Sequence, residues 1–178
     1  MDQITQPSPA KLQHCLLFDW GDTLMRTFPA YNGPMAEWPR IETLPYAHRT
    51  LQELHPEWIL ALATNAKDSC DEDIRTALGR ARLAHLLDRI YCYTKVGFKK
   101  PSQEFFNYIL KDLSLTASAI IMIGDNYETD VVGANQAGIR AVWFNYRSNA
   151  TPTTTMLRTI HSLKDLPAAL KSFEDPLS

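Results

Sequence analysis

Polar side chains that could take part in chemistry follow four apolar segments of this sequence. In chain order the four groups are Asp19, Asp22 and Thr23 in LLFDWGDTL, Thr64 and Asn65 in LALATN, Lys99 and Lys100 in VGFKKP, and Asp125 and Asp130 in IIMIGDNYETD. Carboxylates are ligands for a divalent cation such as Mg²⁺, and hydroxyl, amide and ammonium groups donate hydrogen bonds to an anion. Each group alone also fits a turn, a helix cap, a solvated lysine pair or an acidic loop. Their recurrence after four successive apolar segments favours one shared site.

The elements that would position these groups alternate between strands and helices. Apolar runs of strand length cover residues 15–19, 58–64, 90–93, 119–124 and 140–145. Between them, the pattern indicates helices over residues 44–54, 71–87, 105–113 and 128–137, with a break near Gly79 and an end at Gly138. This alternation predicts an α/β, three-layer Rossmann-like fold with a central, mostly parallel sheet and helices on both faces. Such folds bind ligands at the carboxyl ends of their strands, where the four polar groups lie.

Two segments interrupt the alternation. Residues 25–43 contain Pro29, Pro34 and Pro39 together with Gly33 and show no sustained period, which predicts an irregular excursion. Residues 148–155 are polar and rich in turn-forming types, so we expect a surface loop there, then a short strand and a helix over residues 163–172. Because the sequence shows no repeat or linker, residues 1–178 are predicted to form a single domain.

The composition limits the classes of protein to which the chain can belong. With 178 residues, 45% hydrophobic and 21% charged, it is typical of a globular protein with a substantial core. The net charge of −2 offers no basic surface for nucleic acid or an anionic membrane, and no apolar segment approaches the ~20 residues of a membrane span. Cys15, Cys70 and Cys92 lack metal-binding or redox spacing and the N-terminus lacks a secretory pattern, so a cytoplasmic location is expected.

Between Leu16 and about Asn145 the sequence resembles the haloacid dehalogenase (HAD) superfamily of phosphotransferases. That family's motifs are D-x-D-x-T after the first strand, Thr or Ser after the second, a lysine commonly followed by proline, and G-D-x-x-x-x-D. The matching segments, in the same order, are Asp19 to Thr23 with one departure, Thr64 followed by Asn65, Lys100-Pro101, and Gly124-Asp125 through Asp130. The resemblance implies a phosphate monoester hydrolase that uses Mg²⁺ and forms an aspartyl-phosphate on Asp19.

The resemblance also implies a role for each residue of the site. The implied residues are Asp19, Thr64 and Lys100 for catalysis, Thr64, Asn65 and Lys100 for substrate binding, the Asp19 carboxylate, the Gly21 carbonyl and Asp125 for Mg²⁺, and Asp130 behind them to hold the lysine or a metal-bound water. A phosphoryl group in transfer is negatively charged, so a carboxylate can approach it only where cations screen the repulsion. Mg²⁺ and the Lys100 ammonium would balance the three carboxylates.

Gly21 departs from the first motif of the family. Most phosphatases of the family carry a second aspartate there, which protonates the leaving oxygen and then activates the hydrolytic water, and glycine can do neither. The next position, Asp22, is variable in the family and does not automatically compensate. Loss of such a general acid and base is typically worth ~10²–10⁴ in rate. An alternative is therefore a weakly active or non-catalytic HAD-fold protein that binds a phosphorylated or protein partner.

The chain has little room for the cap domain that family members acting on small metabolites usually insert. Residues 25–58 include a helix of about a dozen residues, which leaves about twenty irregular residues, too few for a helical cap. We expect a capless core with an open site that accepts a phosphorylated small molecule or a phosphoprotein. The excursion carries Phe28, Tyr31 and Trp38, which could form a lid, a protein-contact surface or a loop packed on the core.

Overall fold

A computed structural model describes residues 13–173 and shows one parallel sheet. Residues 1–12, where the expected absence of a secretory pattern falls, and residues 174–178 lie outside the described part. The six strands within it are β1 (Cys15–Phe18), β2 (Ile59–Thr64), β3 (Arg89–Cys92), β4 (Ile120–Gly124), β5 (Arg140–Phe144) and β6 (Leu157–Ile160). Every strand pair in the sheet is parallel, so the predicted α/β fold with a mostly parallel sheet is confirmed.

Helices connect the strands. They are α1 (Ala47–Leu54), α2 (Asp71–Arg80), α3 (Tyr93–Val96), α4 (Gln103–Leu113), α5 (Gly133–Gln136) and α6 (Leu166–Lys171). The helix expected over residues 71–87 is shorter than predicted, because Arg82 takes a left-handed backbone conformation and ends it. The helix expected from residue 128 begins instead with a π-helical turn, Tyr127–Val132, before α5. None of the helices between residues 13 and 173 is long and apolar enough to cross a membrane.

Alternate residues of the strands build a core on each face of the sheet. Leu16 and Phe18 of β1 point to one side, where they pack with apolar residues of α1, α2 and α6. Cys15 and Leu17 point to the other side and pack with residues of α4 and α5. Successive side chains of a strand face opposite ways, so a strand that is buried on both faces must be apolar throughout. The result is the predicted three-layer arrangement.

The strand order places β1 at the point where the chain changes direction across the sheet. The order is β3-β2-β1-β4-β5-β6, so the chain builds outward from β1 to β3 and then crosses to β4 on the other side of β1. Phe18, the last residue of β1, is in register with Ile123 of β4 and Leu62 of β2. Ligands bind at the carboxyl edge of such a switch point.

The excursion over residues 25–43 lies beside this edge. Its ends are joined near β1, where Met25 pairs with Thr43 and the Arg26 N–H donates to the Glu42 carbonyl (2.8 Å). In between it contains a single short 3₁₀ turn, Met35–Glu37, and no longer helix. That the excursion stands in place of a cap within a single domain stays a prediction.

Candidate active site

Asp19 is the first residue after β1, and its backbone N–H continues the sheet by donating to the Ile123 carbonyl (2.9 Å). Its carboxylate is held from two sides: Lys100 Nζ lies 2.7 Å from Oδ1, and the Thr23 hydroxyl donates to Oδ2 (3.1 Å). The side chain still keeps 14% of its surface exposed. Asp19 is therefore both fixed in orientation and accessible.

Lys100 is a buried cation between two carboxylates. The residue is 3% exposed, and its Nζ donates to Asp19 and to Asp130 Oδ1 (2.8 Å). Burial alone would lower the pKa of Lys100, but the two carboxylates outweigh burial and raise the pKa above its ordinary value. The side chain is therefore an ammonium at neutral pH.

The Asn65 carboxamide fixes the backbone that carries Lys100. Asn65 Nδ2 donates to the Lys100 carbonyl (2.8 Å), and the Lys100 N–H donates to Asn65 Oδ1 (2.8 Å). Sequence reasoning assigned Asn65 to substrate binding. In the structure the Asn65 side chain holds the backbone of Lys100. Binding of a phosphoryl group through its second amide hydrogen stays a prediction.

Asp130 accepts hydrogen bonds on both carboxylate oxygens. Besides Lys100, the Thr129 hydroxyl donates to Oδ1 (3.2 Å) and the Asn126 N–H donates to Oδ2 (3.0 Å). Burial raises the pKa of Asp130, and the Lys100 ammonium opposes this rise. Glycine at position 124 leaves room for the Asp130 carboxylate, because a Cβ there would lie 2.1 Å from Asp130 Oδ2. The Asp130 carboxylate thus holds the Lys100 ammonium, and its supporting role behind the reactive residues stays a prediction.

Asp125 follows β4 and faces Asp19 across the carboxyl edge. Its N–H donates to the Thr23 hydroxyl (3.1 Å), and Arg147 Nη1 donates to its Oδ2 (2.6 Å). Burial and the neighbouring Asp19 carboxylate raise the pKa of Asp125, while Arg147 works in the opposite direction. Arg147 is a site residue that the sequence analysis did not single out, and Thr23, named there in the first polar group, was given no role.

The three carboxylates of the site are arranged as a hard cation would need them. Asp19, Asp125 and Asp130 each offer an oxygen, and these three oxygens lie within 4.8 Å of one another. Oxygen donors are those that Mg²⁺ prefers. The Asp130 side chain is only 1% exposed, whereas those of Asp19 and Asp125 are 14% and 11% exposed, so Asp19 and Asp125 are the carboxylates that an ion in the cavity can reach. The residues present therefore fit Mg²⁺.

A cavity of about 400 Å³ opens above these carboxylates. The predicted residues that line it are Asp19, Gly21, Thr64, Asn65, Lys100, Asp125 and Asp130. The Thr64 hydroxyl accepts from the Ala66 N–H (3.1 Å), which leaves its own hydrogen available for an oxygen in the cavity. The structure therefore brings together every residue to which the resemblance assigned a role, whereas these roles stay predictions, and Lys99, Asp22 and Thr23 of the polar groups do not line the cavity.

Asp22 lies apart from this cavity. It has a left-handed backbone conformation (φ 58°), and its carboxylate accepts from the Thr27 N–H (3.0 Å) and hydroxyl. Arg147 Nη2 lies 3.0 Å from its Oδ2. These donors hold the Asp22 carboxylate outside the cavity lining, away from the position where Gly21 lacks an acid.

Comparison with known proteins identifies the family. The sequence model of the family described as haloacid dehalogenase-like hydrolase matches residues 8–144. The chain belongs to this family. It is 31% identical over 103 residues to a ribulose-1,5-bisphosphate 5-phosphatase from Halopiger xanaduensis, covering 57% of this chain and 42% of that protein. It is 26% identical over 165 residues to the pyrimidine 5'-nucleotidase YjjG from Escherichia coli, covering 88% of this chain and 71% of that protein.

Solved structures agree on the fold. An uncharacterized protein from Listeria monocytogenes serotype 4b superposes with a TM-score of 0.80 at 23% identity, covering 90% of this chain and 98% of that one. YfnB from Bacillus subtilis, in a crystal structure described as bound to magnesium, superposes with a TM-score of 0.64 at 24% identity, covering 73% of this chain and 56% of that one. The arrangement of the sheet and its carboxyl edge is therefore that of known HAD folds.

Proposed function

We propose that this protein is a Mg²⁺-dependent phosphate monoester hydrolase that acts through an aspartyl-phosphate on Asp19. One observation carries the proposal: the accessible Asp19 carboxylate lies 2.7 Å from the buried Lys100 ammonium, in a cavity that Thr64 and Asp125 also line. A carboxylate nucleophile needs such screening before an anionic phosphoryl group can come near. The phosphatase and nucleotidase named above support the class of reaction.

In the first step, an Asp19 oxygen attacks phosphorus in line with the leaving oxygen. The new O–P bond forms as the bond to the leaving group breaks, and the leaving oxygen departs with the electron pair. Lys100 holds Asp19 in place and spreads positive charge toward the phosphoryl oxygens, while the Thr64 hydroxyl donates to one of them. Bound Mg²⁺, held by Asp19, Asp125 and the Gly21 carbonyl, would neutralise charge on the phosphoryl oxygens.

In the second step, water attacks the phosphorus of the aspartyl-phosphate, and inorganic phosphate and the free Asp19 carboxylate are released. Gly21 provides no base for this water and no acid for the first leaving group. The lining contains Asp68 as a further acid, but nothing ties it to the leaving oxygen. We therefore expect slow hydrolysis of the phosphoenzyme and a strong dependence on leaving groups that carry negative charge well.

A second candidate function follows from Gly21. Without the acid and base, the same residues could bind a phosphorylated small molecule or a phosphoprotein without rapid turnover. A cytoplasmic location, consistent with the buried Cys15 and Cys92 thiols, belongs to either proposal.

Hydrolysis of p-nitrophenyl phosphate with and without Mg²⁺ separates the two candidates. The enzyme hypothesis expects Mg²⁺-dependent turnover that is lost in Asp19→Asn. Beryllofluoride, which mimics an acyl phosphate, should raise the melting temperature of the wild type only with Mg²⁺ and should not do so in Asp19→Asn. A Mg²⁺-dependent shift without turnover would favour the binding protein, and an equal shift in Asp19→Asn would exclude Asp19 as the phosphorylated residue.

A further inference from the structure

The cavity above Asp19 has an apolar wall that comes from the excursion. Met35 and Trp38 of that segment line the cavity together with Trp20. Met35 is buried and Trp38 is half-buried, so the indole keeps part of its surface open. The segment after β2 contributes polar residues to the lining, Lys67, Asp68 and Ser69. A substrate therefore meets an aromatic and apolar surface as well as polar groups.

Trp38 is fixed in its orientation. Its indole N–H donates to the Gly33 carbonyl (3.0 Å). Its ring makes edge-to-face contacts with Phe28 and Tyr31, at centroid distances of 6.3 and 5.6 Å. Such contacts hold an aromatic side chain in one arrangement and add to the stabilisation that burial provides. The indole ring of Trp38 is therefore preorganised by these contacts.

The turn that carries Met35 is anchored to the core. Met35 belongs to the larger hydrophobic cluster, which also contains Ile74 and Leu78 of α2. Arg80 at the end of α2 donates through Nη1 to the Ala36 carbonyl (2.7 Å). These contacts make the wall a fixed part of the site. The sequence left open whether the excursion is a lid, a protein-contact surface or a packed loop, and these contacts favour the packed loop over a lid that moves.

We propose that this wall selects phosphate esters whose leaving group is an aromatic ring, with Trp38 as the specificity-determining residue. The inference rests on the proposed function. A planar ring gains contact with the indole and the Met35 thioether, whereas a polyol would lose hydration of its hydroxyls there without replacement. An aryl oxygen also leaves well without a general acid, which suits a site with glycine at position 21.

Binding of two phosphonates tests the ring preference without any chemistry. Phenylphosphonate and methylphosphonate carry the same anionic group on a C–P bond, and only one has a ring. In calorimetry with Mg²⁺, the wild type should bind phenylphosphonate about tenfold more tightly. Trp38→Leu, which keeps an apolar side chain, should lose this preference, and Trp38→Phe should retain most of it. Phe98→Ala, which removes an exposed ring outside the lining, should retain it fully.

Two results would overturn the inference: equal affinity of the wild type for the two phosphonates, or the same preference in Trp38→Leu as in the wild type. If Trp38→Leu melts far below the wild type, two other measurements still test the inference. They are the preference of the wild type for phenylphosphonate and the preference of Trp38→Phe compared with it. Hydrolysis of acetyl phosphate, which has a good leaving group and no ring, reports separately on the proposed function. Absence of hydrolysis of both acetyl phosphate and p-nitrophenyl phosphate would refute the phosphatase, whereas hydrolysis of acetyl phosphate without a ring preference in phosphonate binding would refute only the role of Trp38.

Discussion

Arg147 contacts Asp125, a carboxylate that the resemblance assigned to Mg²⁺. Its guanidinium bridges Asp125 (2.6 Å) and Asp22 (3.0 Å) and stacks on Tyr146, although more than half of the side chain is exposed. A cation in contact with a ligand carboxylate repels a second cation that binds there. We therefore expect Arg147 to lower the affinity of the proposed site for Mg²⁺.

Arg147→Gln should bind Mg²⁺ more tightly than the wild type. We expect a gain of about three- to tenfold at low salt that shrinks as the salt concentration rises, because the arginine is exposed and screened. Calorimetric titration measures it. Arg75→Gln is the matched control, since it removes an exposed arginine that pairs with Asp71 on α2. A lower Mg²⁺ affinity in Arg147→Gln would show that the arginine orients Asp125 for the metal.

The effect of the missing carboxylate at position 21 can be tested by restoring it as Gly21→Asp, but the Thr27 side chain would collide with the new side chain. A Cβ at position 21 would lie 2.8 Å from Thr27 Cγ2. Thr27→Ser removes that methyl group and keeps the hydroxyl that donates to Asp22. In the Thr27→Ser background, Gly21→Asp should raise turnover of alkyl phosphates by at least ~10² and that of aryl phosphates by less. An unchanged ratio of alkyl to aryl rates, compared with Thr27→Ser alone, would contradict the assignment of the missing acid.

The pKa of Asp125 predicts how Mg²⁺ binding depends on pH. Burial and Asp19 raise this pKa above the ordinary value of 3.8. A protonated carboxyl is a poor ligand, so protons compete with Mg²⁺ below the raised pKa. The affinity should therefore fall as the pH decreases, starting at a higher pH than an ordinary aspartate would give. Calorimetry at decreasing pH from about pH 7.5 measures where the affinity begins to fall, and a fall that begins only where an ordinary aspartate titrates would contradict the raised pKa.

At the scale of elements, the end of β2 and the loop before α4 are joined through Asn65. Its carboxamide makes two hydrogen bonds to the Lys100 backbone (both 2.8 Å). They hold the loop that carries Lys100 before α4, here called the lysine loop, against the sheet. Ser102, two residues on, begins α4 by accepting from the Phe105 N–H (3.3 Å). The position of the Lys100 ammonium thus depends on a strand end and a helix start together.

Asn65→Leu should lower kcat by about 10- to 100-fold, because the lysine loop loses both bonds and a small displacement of a catalytic group is costly. The free energy of unfolding should fall by about 1–3 kcal/mol, the cost of leaving backbone groups unpaired. Asn135→Leu removes another carboxamide bond, to the Val131 carbonyl, and should leave kcat unchanged. Equal effects on kcat in the two variants would argue against a specific task for Asn65.

The sequence predicts elements with a clear apolar pattern well and elements decided by local hydrogen bonds poorly. The central strands β1, β2 and β4 are predictable because both faces of each are buried, so that every residue of a segment such as IIMIG is apolar or small. The helix Tyr93–Val96 is missed because four residues are too few for a periodic pattern. The π-helical turn Tyr127–Val132 is missed because local bonds decide it: Asn126 accepts from the Thr129 N–H and donates its own N–H to Asp130.

For the whole molecule, topology explains why distant residues meet. The end of β1 lies between the ends of β2 and β4, so Asp19 is flanked by Thr64 and Asp125, and the loop before α4 brings Lys100 to them. The residues in family motifs are predictable for that reason. Arg147 and Trp38 are not, because each reaches the site through a loop whose path depends on tertiary packing.

The most direct test of the account is whether Asp19 carries a phosphoryl group during turnover. The protein is mixed with p-nitrophenyl phosphate and Mg²⁺, quenched in acid within the first turnovers, and examined by mass spectrometry of the intact chain and its peptides. Since we expect hydrolysis of the intermediate to be slow with glycine at position 21, the wild type should accumulate one phosphoryl group on the peptide that contains Asp19, and Asp19→Asn should accumulate none. Turnover without an adduct on Asp19, or equal phosphorylation of Asp19→Asn, would contradict the account.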